Sequence, residues 1–395
     1  MVSLRALALS LALLVSSAVS LSIHELATSN QTSGVRAPIR KHVQHEKLKD
    51  LAVHDQARAK ALVARATSTS NKFNANSQVV AVAIANLVTS YIVAMNVGSP
   101  ATTCESRLYT PYDVSGSHQT AYRRSITWVG SGLPFKSTIT TGNLNKSIAV
   151  QYGSGFMQGF AVFDQVSFGG PLTIVTQEIG VATSSAGFAG VDGIIPARVV
   201  SMSFAPTNAS AINGELVWGG IDTSKFIGTL TVFPASLAFP ASSFFSFDAS
   251  FVQGAQTILG TSGGIVDSGT TLILLATQAF SAYQSRTGAV LDATTGLLRV
   301  TPAQFAVLPT LNVVVRGVTF PLTPDAQRWP RQLNTAIGGS PSFVYLIVNN
   351  LGTPVGSGLD FILGQFFLER FYSVFDSTGV VGLAPTVFTN AVVNN

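Results

Sequence analysis

The chain has 395 residues, 47% of them hydrophobic and only 10% charged, with 35 glycines and one cysteine. It is too apolar for a disordered protein and long enough for two ordinary domains or one large two-lobed body. A single cysteine excludes an internal disulfide framework and any cysteine-built metal cluster. The formal charge of +5 is concentrated near the N-terminus: residues 21–78 hold nine Lys or Arg against four Asp or Glu, and residues 79–395 hold 13 against 14. The body is close to neutral, so a nucleic-acid role loses its support.

Residues 1–20 read as a signal peptide. Arg5 provides the charged start, an apolar run extends from Ala6 to Val15, and Ala18-Val19-Ser20 forms a small-residue cleavage site. That run is too short to span a bilayer, and no later stretch reaches about 18 uninterrupted apolar residues. The chain is therefore expected to be secreted and extracellular, without a membrane span. Asn30-Gln-Thr, Asn145-Lys-Ser and Asn208-Ala-Ser are glycosylation sequons, a motif short enough to arise by chance.

Residues 21–78 differ in composition from the rest of the chain, holding four of the five histidines and nearly half the Lys and Arg. His42 to Arg65 has helical character, with alanine-rich stretches such as Arg58-Ala-Lys60-Ala-Leu-Val-Ala-Arg65. Such a segment reads as either a flexible polar arm or a removable pro-segment, and its place directly after a signal peptide favours the second. Its charge should hold it on local acidic patches or in a cleft, and acid should favour its release.

From Val79 the pattern changes to short strands. Val79 to Ala85, Tyr91 to Val97, Thr229 to Phe233, Leu311 to Val315, Phe343 to Val348 and Tyr372 to Phe375 are apolar or alternating. Helical patterns are few, the best being Ala276 to Gly288 and Gln365 to Arg370. The body is therefore mostly β.

The chemistry open to this body is narrow. Residues 79–395 contain one histidine, His118, and one cysteine, Cys104, both read as exposed loop residues. No nucleophile elbow accompanies His118, zinc sites built from several His and Cys are excluded by count, and no phosphate-binding fingerprint appears. Carboxylate chemistry remains. Asp267 stands out in Gly263-Gly-Ile-Val-Asp-Ser-Gly-Thr-Thr-Leu272, an acid at the end of an apolar strand inside a hydroxyl-rich turn. Burial raises such a carboxyl's pKa, while turn amides and hydroxyls stabilise the anion.

That segment resembles the second active-site motif of pepsin-like aspartic proteases, most closely the secreted fungal members, and the resemblance covers most of residues 85–385. Tyr91 to Pro100 is similar to the strand before the first catalytic loop, and Gln151-Tyr152-Gly153-Ser-Gly155 to the flap hairpin. Gly214 to Asp222 and Ser224 to Leu230 resemble the strands linking the lobes. Phe361-Ile-Leu-Gly364, with Phe367, Leu368 and Phe371 to Asp376, resembles the loop and helix behind the second aspartate. The resemblance implies an all-β, bilobal pepsin-type fold, with residues 79–215 as N-terminal lobe (flap near residue 152) and residues 216–395 as C-terminal lobe. It implies an acid endopeptidase in which two aspartates share a proton and activate a water. Asp267 would be one aspartate, Ser268 and Gly269 part of its loop, with Ser268 in a grip between the two catalytic loops. Thr270 would hydrogen-bond the carboxylate, and Tyr152 and Gly153 would form the flap. No cofactor or metal is implied; the partner is an extended polypeptide, and the molecule a monomer.

The N-terminal lobe departs from the family pattern. No Asp-Thr-Gly occurs anywhere in the chain; residues 104–125 are polar and contain Pro111, and Asp113, in Asp-Val-Ser-Gly, is the only nearby acid that suggests itself as a partner. Asp113 lacks the apolar lead-in and the hydroxyl neighbour, so an exposed turn aspartate is the better reading. Pro196 comes after Ile194-Ile195 where the family has glycine, so this lobe reads as truncated. Family-like sequence stops and restarts abruptly on both sides of residues 104–125, as a mis-joined exon would cause. Three readings result: an impaired protease, a catalytically inactive homologue that binds peptides, and, more distantly, a glycoside hydrolase, which also uses two carboxylates.

Overall fold

The computed structural model describes residues 35–43, 45–67, 89–108, 126–128, 135–152, 155–167, 173–186, 193–195, 199–206, 211–218, 220–376 and 379–395. Val79 to Ala85, Asp113, His118, Gly153 and the sequons at Asn30 and Asn208 lie outside them.

Short alternating segments pair into three sheets of 13, seven and three strands. The large sheet runs from Thr231–Phe233 at one edge to Gly142–Tyr152 at the other. Its middle is unusual in origin. Val35–Val43, from the basic N-terminal segment, lies antiparallel between Ala211–Trp218 and Thr89–Val97. Apolar residues at 35, 37, 39 and 43 give the strand its period of two. Pro38 is tolerated one residue before a register shift at Ile39/Arg40, since proline cannot feed a regular ladder.

Four α-helices are described: α1 (Leu51–Thr67), α2 (Thr277–Thr287), α3 (Pro302–Ala306) and α4 (Gln365–Leu368). The expected helices at 276–288 and 365–370 correspond to α2 and α4. A 3-10 turn, His45–Asp50, leads into α1. Leu48, Leu51, Ala52, Asp55, Arg58, Ala59 and Leu62 are all buried, a spacing of three and four that places them on one helical face. The apolar members of that stripe join the same core as Phe247, Leu272, Phe361 and Phe367.

Cys104 requires a correction. It belongs to the strand Thr102–Leu108 and pairs with Met95, rather than standing in an irregular stretch. Thr-Thr-Cys-Glu-Ser-Arg-Leu lacks β-pattern of its own, but the Thr89–Val97 ladder holds it extended. The expected strand at 343–348 is interrupted, because Ile347 donates its amide to the Gln327 carbonyl at 2.9 Å.

Candidate active site

Asp267 sits where two chain directions meet. The strand Gln256–Val266 delivers it, running parallel to Phe361–Leu363 with Val266 opposite Leu363. Gly264 allows this approach, because a Cβ there would overlap the Phe361 ring. The Asp267 amide donates to the Leu363 carbonyl at 3.0 Å, and the chain then turns, with Thr270 N donating to Asp267 O at 3.2 Å. The next strand, Ile273–Leu275, returns antiparallel on the other side of Phe361–Leu363. Buried apolar strands on three sides thus fix one polar turn.

The turn is braced from below by the start of α4. Gln365 N donates to Thr270 O at 2.8 Å, and Gln365 Nε2 to Ser268 O at 2.9 Å. Gly364 permits this contact, since a Cβ would overlap the carbonyls of Thr270 and Leu272. Gly364→Ala should destabilise the fold by about 1–3 kcal/mol or more, as overpacking against backbone cannot be relieved by rotamer changes. Urea unfolding checks this: an unchanged midpoint would mean the loop is not held by the brace.

The Asp267 carboxylate is fully engaged. Gly269 N donates to Oδ1 at 2.9 Å and Thr270 Oγ1 to Oδ2 at 2.6 Å. The remaining contacts come from α1: Arg58 Nε reaches Oδ2 at 2.7 Å and Arg58 Nη2 reaches Oδ1 at 2.8 Å. This is a fork-to-fork pair between buried side chains, 1% and 4% exposed. The guanidinium lies where a Cβ on residue 269 would stand, so Gly269 is required for the pair. Burial opposes ionisation of Asp267 most strongly. The charge and hydrogen bonds of Arg58, with those of Thr270 and Gly269, outweigh it and hold the carboxyl below its ordinary range.

One turn before Arg58, Asp55 makes a second attachment. Its carboxylate accepts from Thr271 N at 3.0 Å and from Leu272 N at 2.7 Å. Burial pushes Asp55 up to about 7, against the lowering effect of those two amides and of Arg58, while the Asp267 charge adds to the rise. Ala52 packs on Gly296, extending the contact along the lobe.

The other expected site residues divide. Ser268 is buried on the loop, but its Oγ has no hydrogen-bond partner, so the expected grip is not made in this structure. The backbone of Tyr152 ends the strand Gly142–Tyr152, which pairs with Gly155–Ser167 as a hairpin. The described residues do not include Asp113, and none of them supplies a second carboxylate on Asp267 from the N-terminal lobe. Arg58 and Asp55 were not singled out by the sequence; the signal available was their three-residue spacing within the apolar stripe of α1.

Paired β-rich lobes and an acid held on a braced turn place the protein in the pepsin-type class. A family model for eukaryotic aspartyl protease matches residues 133–197 and 193–386. Polyporopepsin of Irpex lacteus is 43% identical over 345 residues, covering 78% of this chain and 98% of its own. Pepsin A of Rhinolophus ferrumequinum is 27% identical over 272 residues, 61% of this chain and 67% of its own. The crystal structure of aspartic proteinase from Irpex lacteus superposes with a TM-score of 0.69 at 36% identity, covering 91% of this chain and 99% of that one. The chain belongs to the eukaryotic aspartyl protease family, and by family it is a hydrolase of the endopeptidase class.

Proposed function

We propose that this chain is a secreted protein of the aspartic-type endopeptidase class, zymogen-like in architecture but catalytically impaired as written, with Asp267 as the C-terminal-lobe carboxylate and α1 as the plug over it. The buried fork of Arg58 on Asp267 carries this reading, because substrate and Arg58 cannot occupy the same carboxylate. The pro-segment spans residues 21–78 and contributes both the strand Val35–Val43 and α1. The signal-peptide pattern of residues 1–20 supports secretion. Among the described residues no helix is long and apolar enough to cross a membrane.

In the activity proposed for the family site, one carboxylate takes a proton from water while its partner, protonated, hydrogen-bonds the scissile carbonyl. Thr270 and the Gly269 amide would hold Asp267 in register for that water. Its partner is the difficulty: the chain has no Asp-Thr-Gly, and the buried Ser268 hydroxyl lacks the loop-to-loop bond expected of it. The chain is therefore expected to have no appreciable peptidase activity, even freed of its pro-segment. General acid–base assistance contributes ~10²–10⁴-fold, so a lone carboxylate loses at least that. The test is cleavage of denatured haemoglobin at pH 3 by the chain beginning near residue 79. No turnover is expected. Pepstatin-sensitive cleavage would overturn the inactivity and make Asp113 the leading second aspartate. If the chain is inactive as expected, replacing residues 104–125 with a family-like strand bearing D-T-G-S-S and restoring a family-like stretch after Ile195 should create activity at acid pH.

A further inference from the structure

The catalytic site does not use the longest edge feature of the N-terminal lobe. Gly142–Tyr152 is an eleven-residue strand that, among the described residues, is paired on one side only, at the end of the 13-stranded sheet. Such edges invite pairing with other chains unless something interrupts or covers them. Here the ladder is interrupted. Asn143 pairs with Val162, yet the next pair is Lys146 with Ala161, so Leu144 and Asn145 bulge out of the sheet. Asn145 has φ +51°, left-handed, and its amide donates to Asn143 Oδ1 at 2.8 Å. Asparagine tolerates this conformation better than most residues. The bulge leaves Asn145 exposed, and Ser147, two positions on, is exposed as well. Ile148 is buried, so the inward side of the strand packs while Asn145 and Ser147 stay outside.

We propose that Asn145 is an N-glycosylation site whose oligosaccharide covers this edge strand. The sequon Asn145-Lys146-Ser147 supplies the acceptor amide and the hydroxyl two residues later. The transfer forms an N-glycosidic bond between Asn145 Nδ2 and the sugar C1. The lipid-linked pyrophosphate carrier leaves from C1, and Nδ2 gives up one proton. Asn145 needs no core rearrangement to accept the sugar, since its side chain already faces solvent. It stands seven positions before Tyr152, roughly 23 Å of strand at ~3.3 Å per residue. A glycan there stands well away from the flap end of the hairpin.

The proposal rests on the secretory reading of residues 1–20, and the experiment separates the two. The full chain is produced in a secreting eukaryotic cell, once with its own first 20 residues and once with an established heterologous leader. Secreted protein is digested and treated with peptide N-glycosidase in ¹⁸O water, which marks formerly glycosylated asparagine as labelled aspartate. Label at position 145 is expected in both products. It should vanish, with the mass of one glycan, in Asn145→Gln and Ser147→Ala, and persist in Ser147→Thr. Protein secreted by the heterologous leader with unlabelled Asn145 overturns the site. Label with the heterologous leader but retention with the native one overturns the secretory reading and upholds the local geometry.

Discussion

Replacing Arg58 with alanine should release α1 from the C-terminal lobe. The guanidinium provides two short bonds to a carboxylate that is otherwise shut away from water. Removing one partner of such a buried pair leaves an uncompensated charge, at a typical cost of about 3–5 kcal/mol. That is large against the apolar contact of α1, which comes from Leu51, Ala52, Ala59 and Leu62. The readout is hydrogen exchange of the amides in 45–67, with those of 220–376 as the internal reference. Protection should collapse in the first set and persist in the second. Arg58→Lys keeps the charge but not the planar fork, so it should fall between the two. Arg58→Ala combined with Asp267→Asn should recover part of the loss, because neither charge is then stranded. Equal protection in parent and Arg58→Ala would remove the pair from the latch.

The sequence revealed the half of this site that is local in the chain. Asp267 and Thr270 lie three residues apart, the flanking strands are apolar, and the Phe361–Gly364 brace has its own pattern. The β-character of the body was equally plain from strands such as Leu311–Val315. What the sequence hid was contact across the chain. Arg58 and Asp267 are 209 positions apart, and nothing local separates Arg58 from eight other bases in the same segment. Charge alone suggested a diffuse electrostatic association; among the described residues the attachment includes a buried fork from Arg58 and a carboxylate, Asp55, on two amides. Cys104 shows the converse limit. Its polar surroundings read as irregular, and only the neighbouring ladder makes them a strand.

These two attachments also reverse the expected effect of mild acid. Asp55 has an ordinary pKa of 3.8 and is pushed up to about 7 when α1 is docked. A raised carboxyl pKa means the docked state binds the proton more tightly than the released one. Its contribution to docking is complete below pH 3.8 and is lost as pH rises through about 7. At ~1.36 kcal/mol per pH unit, that amounts to on the order of 4 kcal/mol across the window. Asp267 has the opposite sign: Arg58 holds it below its ordinary range, so its contribution is present above pH 3.8 and fades only in stronger acid. Docking should therefore be tighter at pH 5 than at pH 7.5, and acid release should begin only below the ordinary carboxylate range. Asp55→Asn keeps an acceptor for the Leu272 amide but cannot ionise, and should flatten the neutral limb of the profile. A His54→Gln control accounts for the imidazole beside Asp55 in sequence. The measurement is the protection factor of the 45–67 amides at pH 3, 5 and 7.5, corrected for intrinsic exchange. A helix less protected at pH 5 than at pH 7.5 would show that diffuse charge attraction outweighs the Asp55 contact, and that α1 opens as soon as the medium turns acidic.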